Sequence, residues 1–349
     1  MNRLAACALI LLFNVSPATA RSCFAQEGQV ERTLPVIVMS PNEKFASDLK
    51  PANLKLMSDK IAVKGVTLDD GPRKVVLLLD ISENMNSEDA PSKSIRWNNA
   101  QEMAKGFLAT LPRFDWVSLA VFAEKEKEVV PFTHDFDLVR KAIDALPAFG
   151  SSLAQRSYGS GTHFGGALSA ILKAQTLPPS FGDSVAVFSD GAFVDAGDPT
   201  QNSLRAQLLA RGIRVFLFIA TPRFRLPLTV AIGDPILFAT MFGGGPDVVL
   251  SDIPRYQALK DAAPFFKATG GVTFQAAPLH MLEESFLPKS LERITRTAGE
   301  VVQKTYAVSL IVTEPITKQR KIRMELQESN GKALPKLILL YPEYLEPTP

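Results

Sequence analysis

The stretch Lys74-Val75-Val76-Leu77-Leu78-Leu79-Asp80-Ile81-Ser82-Glu83-Asn84-Met85 constrains this chain more than any other. Its unbroken branched apolar residues leave no polar face, so it reads as a parallel strand buried on both sides. In open α/β sheets the ligand crevice lies outside the carboxyl ends of such strands, and here that end carries Asp80 and Ser82. Two later segments supply matching oxygens. Gly161-Thr162 opens a helical stretch, and Val185-Ala186-Val187-Phe188-Ser189-Asp190-Gly191 is a second buried strand ending in a carboxylate. Together they suggest a metal cradle.

From residue 74 onward the pattern alternates between strand and helix, the signature of βαβ units around a parallel sheet. Strands are expected at 74–80, 116–122, 128–132, 185–190, 213–219 and 272–275, and helices at 94–111, 136–146, 163–174, 203–210, 256–269 and 287–303. The fold class is therefore α/β, a doubly wound, mostly parallel six-stranded sheet. Before it, 34–39 and 61–68 are β-prone pieces broken by Pro41-Asn42 and Pro51-Ala52; after it, 306–312, 321–327 and 337–341 are β-prone with no helices between them. A chain of 349 residues exceeds the usual single core. The expected division is an N-terminal β segment at 21–72, an α/β domain at 73–304 and a C-terminal β segment at 305–349 that packs with 33–68. The α/β domain is then an insertion into one small β domain.

Residues 1–20 carry Arg3, an apolar run from Leu4 to Val15 and the small-residue ending Ala18-Thr19-Ala20, which reads as a secretory signal peptide. The run is too short to span a bilayer. The expected location is periplasmic or secreted, with no transmembrane segment in the mature chain. Cys7 leaves with the signal, so Cys23 alone cannot form an internal disulfide. A net charge of +2 with mixed signs supplies no electrostatic footprint for nucleic acid. The basic group Lys318, Arg320, Lys321 and Arg323 falls in an expected strand and reads as a solvated or edge-protecting face. His134, His163 and His280 have no zinc spacing, and Gly165-Gly166 and Gly243-Gly244-Gly245 lack a phosphate-loop context.

The order Asp80, Ser82 and Asn84 after the first strand, Thr162 after a glycine, and Asp190 in Ser-Asp-Gly resembles a von Willebrand factor type A domain with a metal-ion-dependent adhesion site. The chain as a whole resembles the bacterial exported proteins of VWFA-related type. That resemblance implies Mg²⁺, with Mn²⁺ or Ca²⁺ as alternatives, held by Asp80, Ser82, Asn84, Thr162 and Asp190. It assigns direct ligation to Ser82 and the third loop residue, Thr162 direct or through water, and Asp80 and Asp190 mainly to coordinated water. Asn84 departs from the family's second Ser; its amide oxygen can still ligate a hard cation. Each residue taken alone also has a capping or turn reading: Thr162 as a helix N-cap, Asp190-Gly191 as a turn pair, Asp80 and Ser82 as caps of the strand turn.

Between 221 and 255 lies a stretch rich in Pro, Gly and apolar side chains, long enough to be functional and leaving a strand's carboxyl end on the same rim as Asp80. The leading expectation is a non-enzymatic binding module that engages an acidic group of a protein partner through the metal site and this loop. Two alternatives stand beside it: a metal-dependent hydrolase using the same carboxylates to activate water, and a structural or assembly protein with a vestigial metal site whose flanking strands pair with other chains.

Overall fold

The computed structural model describes residues 30–39, 49–58, 60–86, 95–146, 161–174, 181–193, 200–220, 261–262, 264–275, 287–328, 330–332, 334 and 337–347. The signal-peptide segment at 1–20, Cys23, His280, Gly243 to Gly245 and the 221–255 stretch lie outside the described residues.

The chain begins with β1 (Val30–Met39), β2 (Leu54–Leu56) and β3 (Ile61–Leu68), then enters the α/β region. There follow β4 (Lys74–Asp80), α1 (Ile95–Thr110), β5 (Trp116–Phe122), β6 (Glu126–Thr133), α2 (Phe136–Ala145), α3 (Phe164–Ala174), β7 (Ser184–Ser189), α4 (Thr200–Ala210), β8 (Arg214–Ile219), β9 (Thr273–Gln275) and α5 (Leu287–Gln303). The chain then returns through β10 (Tyr306–Val312), β11 (Arg320–Lys321), β12 (Met324–Leu326), β13 (Ile338–Leu340) and β14 (Tyr344–Leu345).

The main sheet has the order β6-β5-β4-β7-β8-β9, parallel except for the β5–β6 hairpin. Every residue of β4 is buried because side chains alternate across the sheet and helices cover both faces. Val75, Leu77 and Leu79 join a core with α1, α2 and α5. Val76 and Leu78 join a second core with α3, α4 and the helical residues 264–268. The chain leaves β4 toward β5 on one side and reaches β7 on the other, so the topological switch point falls at the carboxyl end of β4, beside Asp80.

Helices α1 and α5 approach closely through small residues. Gly106 faces Thr295, and a Cβ on Gly299 would come within 2.5 Å of the Thr110 Cβ. Substituting Gly299→Ala should therefore cost about 1–3 kcal/mol through overpacking, despite alanine's better helix propensity. A urea midpoint that fell with an unchanged slope would show it; an unchanged or raised midpoint would mean that the helices separate freely.

The terminal strands form a second sheet of order β13-β1-β10-β3, antiparallel throughout. β1 pairs with β10 from Val30↔Val312 to Val36↔Tyr306, so residues from the two ends of the chain close one unit around the inserted α/β region. Val36 and Val38 point into its own core, whereas Ile37, on the opposite face, packs into the main core on the α1, α2 and α5 side. The expected single strand at 321–327 is instead two. Arg320–Lys321 pairs with Tyr344–Leu345 and Met324–Leu326 with Leu54–Leu56, because the chain changes partner at Ile322, which is buried and donates to Glu343 O at 2.8 Å.

At the amino end of the main sheet, opposite Asp80, lies a buried charged cluster. Asp183 accepts from Lys74 N at 2.8 Å and pairs with Lys74 Nζ at 3.2 Å. Asp115 accepts from Arg73 N at 3.0 Å, and Arg73 pairs with Asp69 at 3.2 Å. Arg214, fully buried, donates to Thr305 Oγ1 and to the Gly182 and Val302 carbonyls. Burial, and after it the neighbouring Arg73, lowers the Arg214 pKa to about 9, with Asp69 and Asp183 opposing the shift. Both crossings between the two units pass here, joined by Asp69 N donating to Thr305 O at 3.0 Å.

Candidate functional site

The site is built on three adjacent strand ends. β4 continues one residue past Asp80 through Ile81 N, which donates to Phe122 O at 2.9 Å, before the chain turns into a short 3-10 helix at Glu83–Asn86. Ser82 N donates to Asp80 Oδ1 at 2.9 Å, the Asx bond expected where a short polar side chain ends a strand. On one side, His163 N donates to Ala123 O at 2.8 Å, which pins Thr162 beside the end of β5, the strand paired with β4. On the other, β7 runs parallel to β4 with Leu79 opposite Phe188, so Ser189 stands next to Asp80 and Asp190 next to the turn.

Asp80, Ser82, Thr162 and Asp190 are all fully buried. Asp80 Oδ2 accepts from Ser189 Oγ at 2.6 Å. Asp190 Oδ1 accepts from Ala192 N at 3.0 Å, and Gly191 takes φ 82° to make that turn, a conformation that costs other residues strain. Asn84 is half-buried in the 3-10 turn, and its carbonyl accepts from Arg96 Nη1 at 2.7 Å; the same Nη1 lies 3.7 Å from Asp190 Oδ2. The strand ends thus bring Asp80, Ser82, Thr162 and Asp190 to one edge, and Arg96 ties the Asn84 turn to them.

Two features set this edge apart from ordinary capping. Among the described residues, the buried hydroxyls Ser82 Oγ and Thr162 Oγ1 have no partner in hydrogen-bond geometry, although an unsatisfied buried polar atom costs about 1–3 kcal/mol. The capping reading of Thr162 predicts an occupied hydroxyl. In addition, Asp80 is pushed up to about 7, first by burial and then by the charge of Asp190, against the pull of hydrogen bonds from Ser189 and Ser82. Two desolvated carboxylates beside two idle hydroxyls are stabilised by a small hard cation, whose preferred donors are oxygens. Among the described residues no three His, Cys, Asp or Glu side chains are grouped so as to hold a metal ion by themselves, so an ion at this edge would rely on hydroxyls as much as on carboxylates.

Sequence reasoning did not single out Ser189 or Arg96. Ser189 looked like the last residue of a buried strand. Arg96 had one available sign, a cation in the first turn of a helix, where the dipole disfavours positive charge. On the rim, Gly161 N donates to Glu124 Oε1 at 3.4 Å, and His163 is exposed at the start of α3. His134 stacks on Trp116 with ring centroids 3.8 Å apart, remote from this edge at the start of β5.

The doubly wound, mostly parallel six-stranded sheet with its switch point at β4 is the architecture of a von Willebrand type A fold. Residues 75–192 match the von Willebrand factor type A domain family. Solved structures with a similar fold include the conserved hypothetical protein BatB of Bacteroides thetaiotaomicron, 18% identical over 65% of this chain and 98% of that one, TM-score 0.41. A von Willebrand factor type A protein of Catenulispora acidiphila is 11% identical over 91% of this chain and 75% of that one, TM-score 0.42. Proximal thread matrix protein 1 of the mussel byssus, solved with a zinc-occupied adhesion motif, is 12% identical over 70% and 48%, TM-score 0.37. No curated protein matches the chain. Among the described residues no helix is long and apolar enough to cross a membrane.

Proposed function

We propose that this is an exported, non-enzymatic binding protein that holds Mg²⁺, or Mn²⁺ or Ca²⁺ in its place, at Asp80, Ser82, Asn84, Thr162 and Asp190, and uses it to engage an acidic group of a protein partner. The observation that carries the reading is the pair of buried hydroxyls of Ser82 and Thr162, without a hydrogen-bond partner among the described residues, beside two desolvated carboxylates. A bound divalent ion supplies an electrophilic position that a partner's carboxylate can fill. The chain's own residues do the rest. Ser189 and the Ser82 amide orient Asp80, and the Gly191 turn orients Asp190. Export rests on residues 1–20, and the apolar 221–255 segment that follows β8 would add contacts to the partner.

A hydrolytic reading has one observation in its favour, the raised pKa of Asp80, which suits a general base. Against it, each Asp80 oxygen already accepts a hydrogen bond, from Ser82 N and Ser189 Oγ, and the side chain is fully buried. Those contacts favour a holding role for Asp80 over proton exchange with a substrate.

Titration calorimetry with Mg²⁺ or Mn²⁺ to millimolar concentration should show one saturable site, lost in Asp80→Ala. Capture of an envelope partner should be chelator-sensitive and fail with the same variant. No heat in the parent protein would overturn the metal reading, and capture undisturbed by Asp80→Ala would favour a structural role.

A further inference from the structure

Arg96 stands in the first turn of α1 at 11% side-chain exposure, beside a carboxylate that is fully buried. A cation there opposes the helix dipole, so its position needs another cause. The two contacts of Nη1 differ in kind. At 2.7 Å from Asn84 O it makes a full hydrogen bond; at 3.7 Å from Asp190 Oδ2 it is within ion-pair range but too far for one. The guanidinium is thus anchored on the turn carbonyl and acts on Asp190 through charge in this contact. It is a permanent cation, since arginine does not give up its proton under ordinary conditions.

Resting on the metal reading above, we propose that Arg96 is an exchangeable counter-cation built into the cradle. Without a divalent ion it balances Asp190 and ties down the Asn84 turn. When an ion binds, Arg96 gives up Asp190 and keeps the carbonyl. Among the described residues, two carboxylates and one guanidinium give the cradle a single net negative charge toward a doubly charged ion. The residue therefore sets the site's affinity low and makes occupancy responsive to ion concentration instead of permanent.

The test is Arg96→Gln, which keeps a donor for Asn84 O and removes the charge, titrated with Mg²⁺ in the full-length protein. The dissociation constant should fall by about tenfold or more, the scale on which one nearby charge moves an ionic equilibrium. The ion-free variant should also melt below the ion-free parent. An unchanged or weaker Mg²⁺ affinity overturns the proposal. Binding by Arg96→Gln but not by the parent overturns the exchange role as well, since the parent then holds no ion for Arg96 to yield to; no binding by either overturns the metal reading and the proposal with it. Should Arg96→Gln not fold, Arg96→Lys carries the test: it keeps the charge, so an affinity near the parent's supports the proposal and a tenfold gain refutes it.

Discussion

Replacing Asp183 by Asn should destabilise the protein by about 3–5 kcal/mol while leaving the divalent-ion affinity of the folded form unchanged. Asp183 is fully buried and holds Lys74 by both its backbone and its ammonium group. Around it, among the described residues, three cations, Arg73, Lys74 and Arg214, face three carboxylates, Asp69, Asp115 and Asp183. Asparagine keeps the shape and removes one charge, leaving a cation in excess where water cannot reach it. Burial already lowers the Arg214 pKa and raises that of Asp115, which shows how little solvent screens this cluster. Adding Lys74→Met to Asp183→Asn should recover most of the loss, because a balanced apolar replacement removes both the charge and its need. Urea denaturation of the two variants decides it. A loss below about 1 kcal/mol would mean that solvent reaches the cluster after all.

The ion-free protein should lose stability as pH rises from about 4 to about 7, and Mg²⁺ should restore it only at the upper end. The sign follows from Asp80. Its unfolded pKa is near 3.8 and its folded value about 7, so between these the folded state keeps a proton that the unfolded state has released. Folded stability therefore falls with pH across that window and levels off above it. A shift of this size corresponds to about 4 kcal/mol from this one group. An ion that binds only the folded state adds about 2.7 kcal/mol at a hundredfold excess over its dissociation constant, and it binds the ionised carboxylate. Melting curves at pH 5 and pH 8, with and without Mg²⁺, should show a large gain at pH 8 and little at pH 5. Equal gains at both would sink the assignment of Asp80, and Asp80→Asn should flatten the ion-free pH profile.

How much of this was legible in advance follows from what each element needed. β4, β5, β10 and α5 match expectation to the residue, since long apolar runs or a sustained helical period leave few alternatives. The α/β sheet with its six strands, and the small β unit from both ends, were readable for the same reason. β2 and β14, three and two residues long, were missed because such short strands carry no period and exist only through their partners. Within the site, Asp80, Thr162 and Asp190 each close an apolar run or open a helix, positions that the sequence marks. Arg96 and Ser189 acquire their roles through packing: α1 folds back over the sheet edge, and β7 lies beside β4, neither of which a linear reading displays. The buried charge cluster was unreadable, because Lys74 and Arg214 at strand starts ordinarily reach solvent. The α5–β10 junction denies Arg214 that escape through Thr305 and Val302.

The hydrogen bond from Asp69 to Thr305 joins the two chain crossings at the pole farthest from the cradle. A load applied by a partner at the Asp80 edge would run the length of the main sheet and leave through both crossings side by side. It would then meet β1, β10 and β3, whose antiparallel bonds lie across the strands and resist sliding together rather than parting one by one. Under such a load the protein would bear tension as a clasp with two hinges.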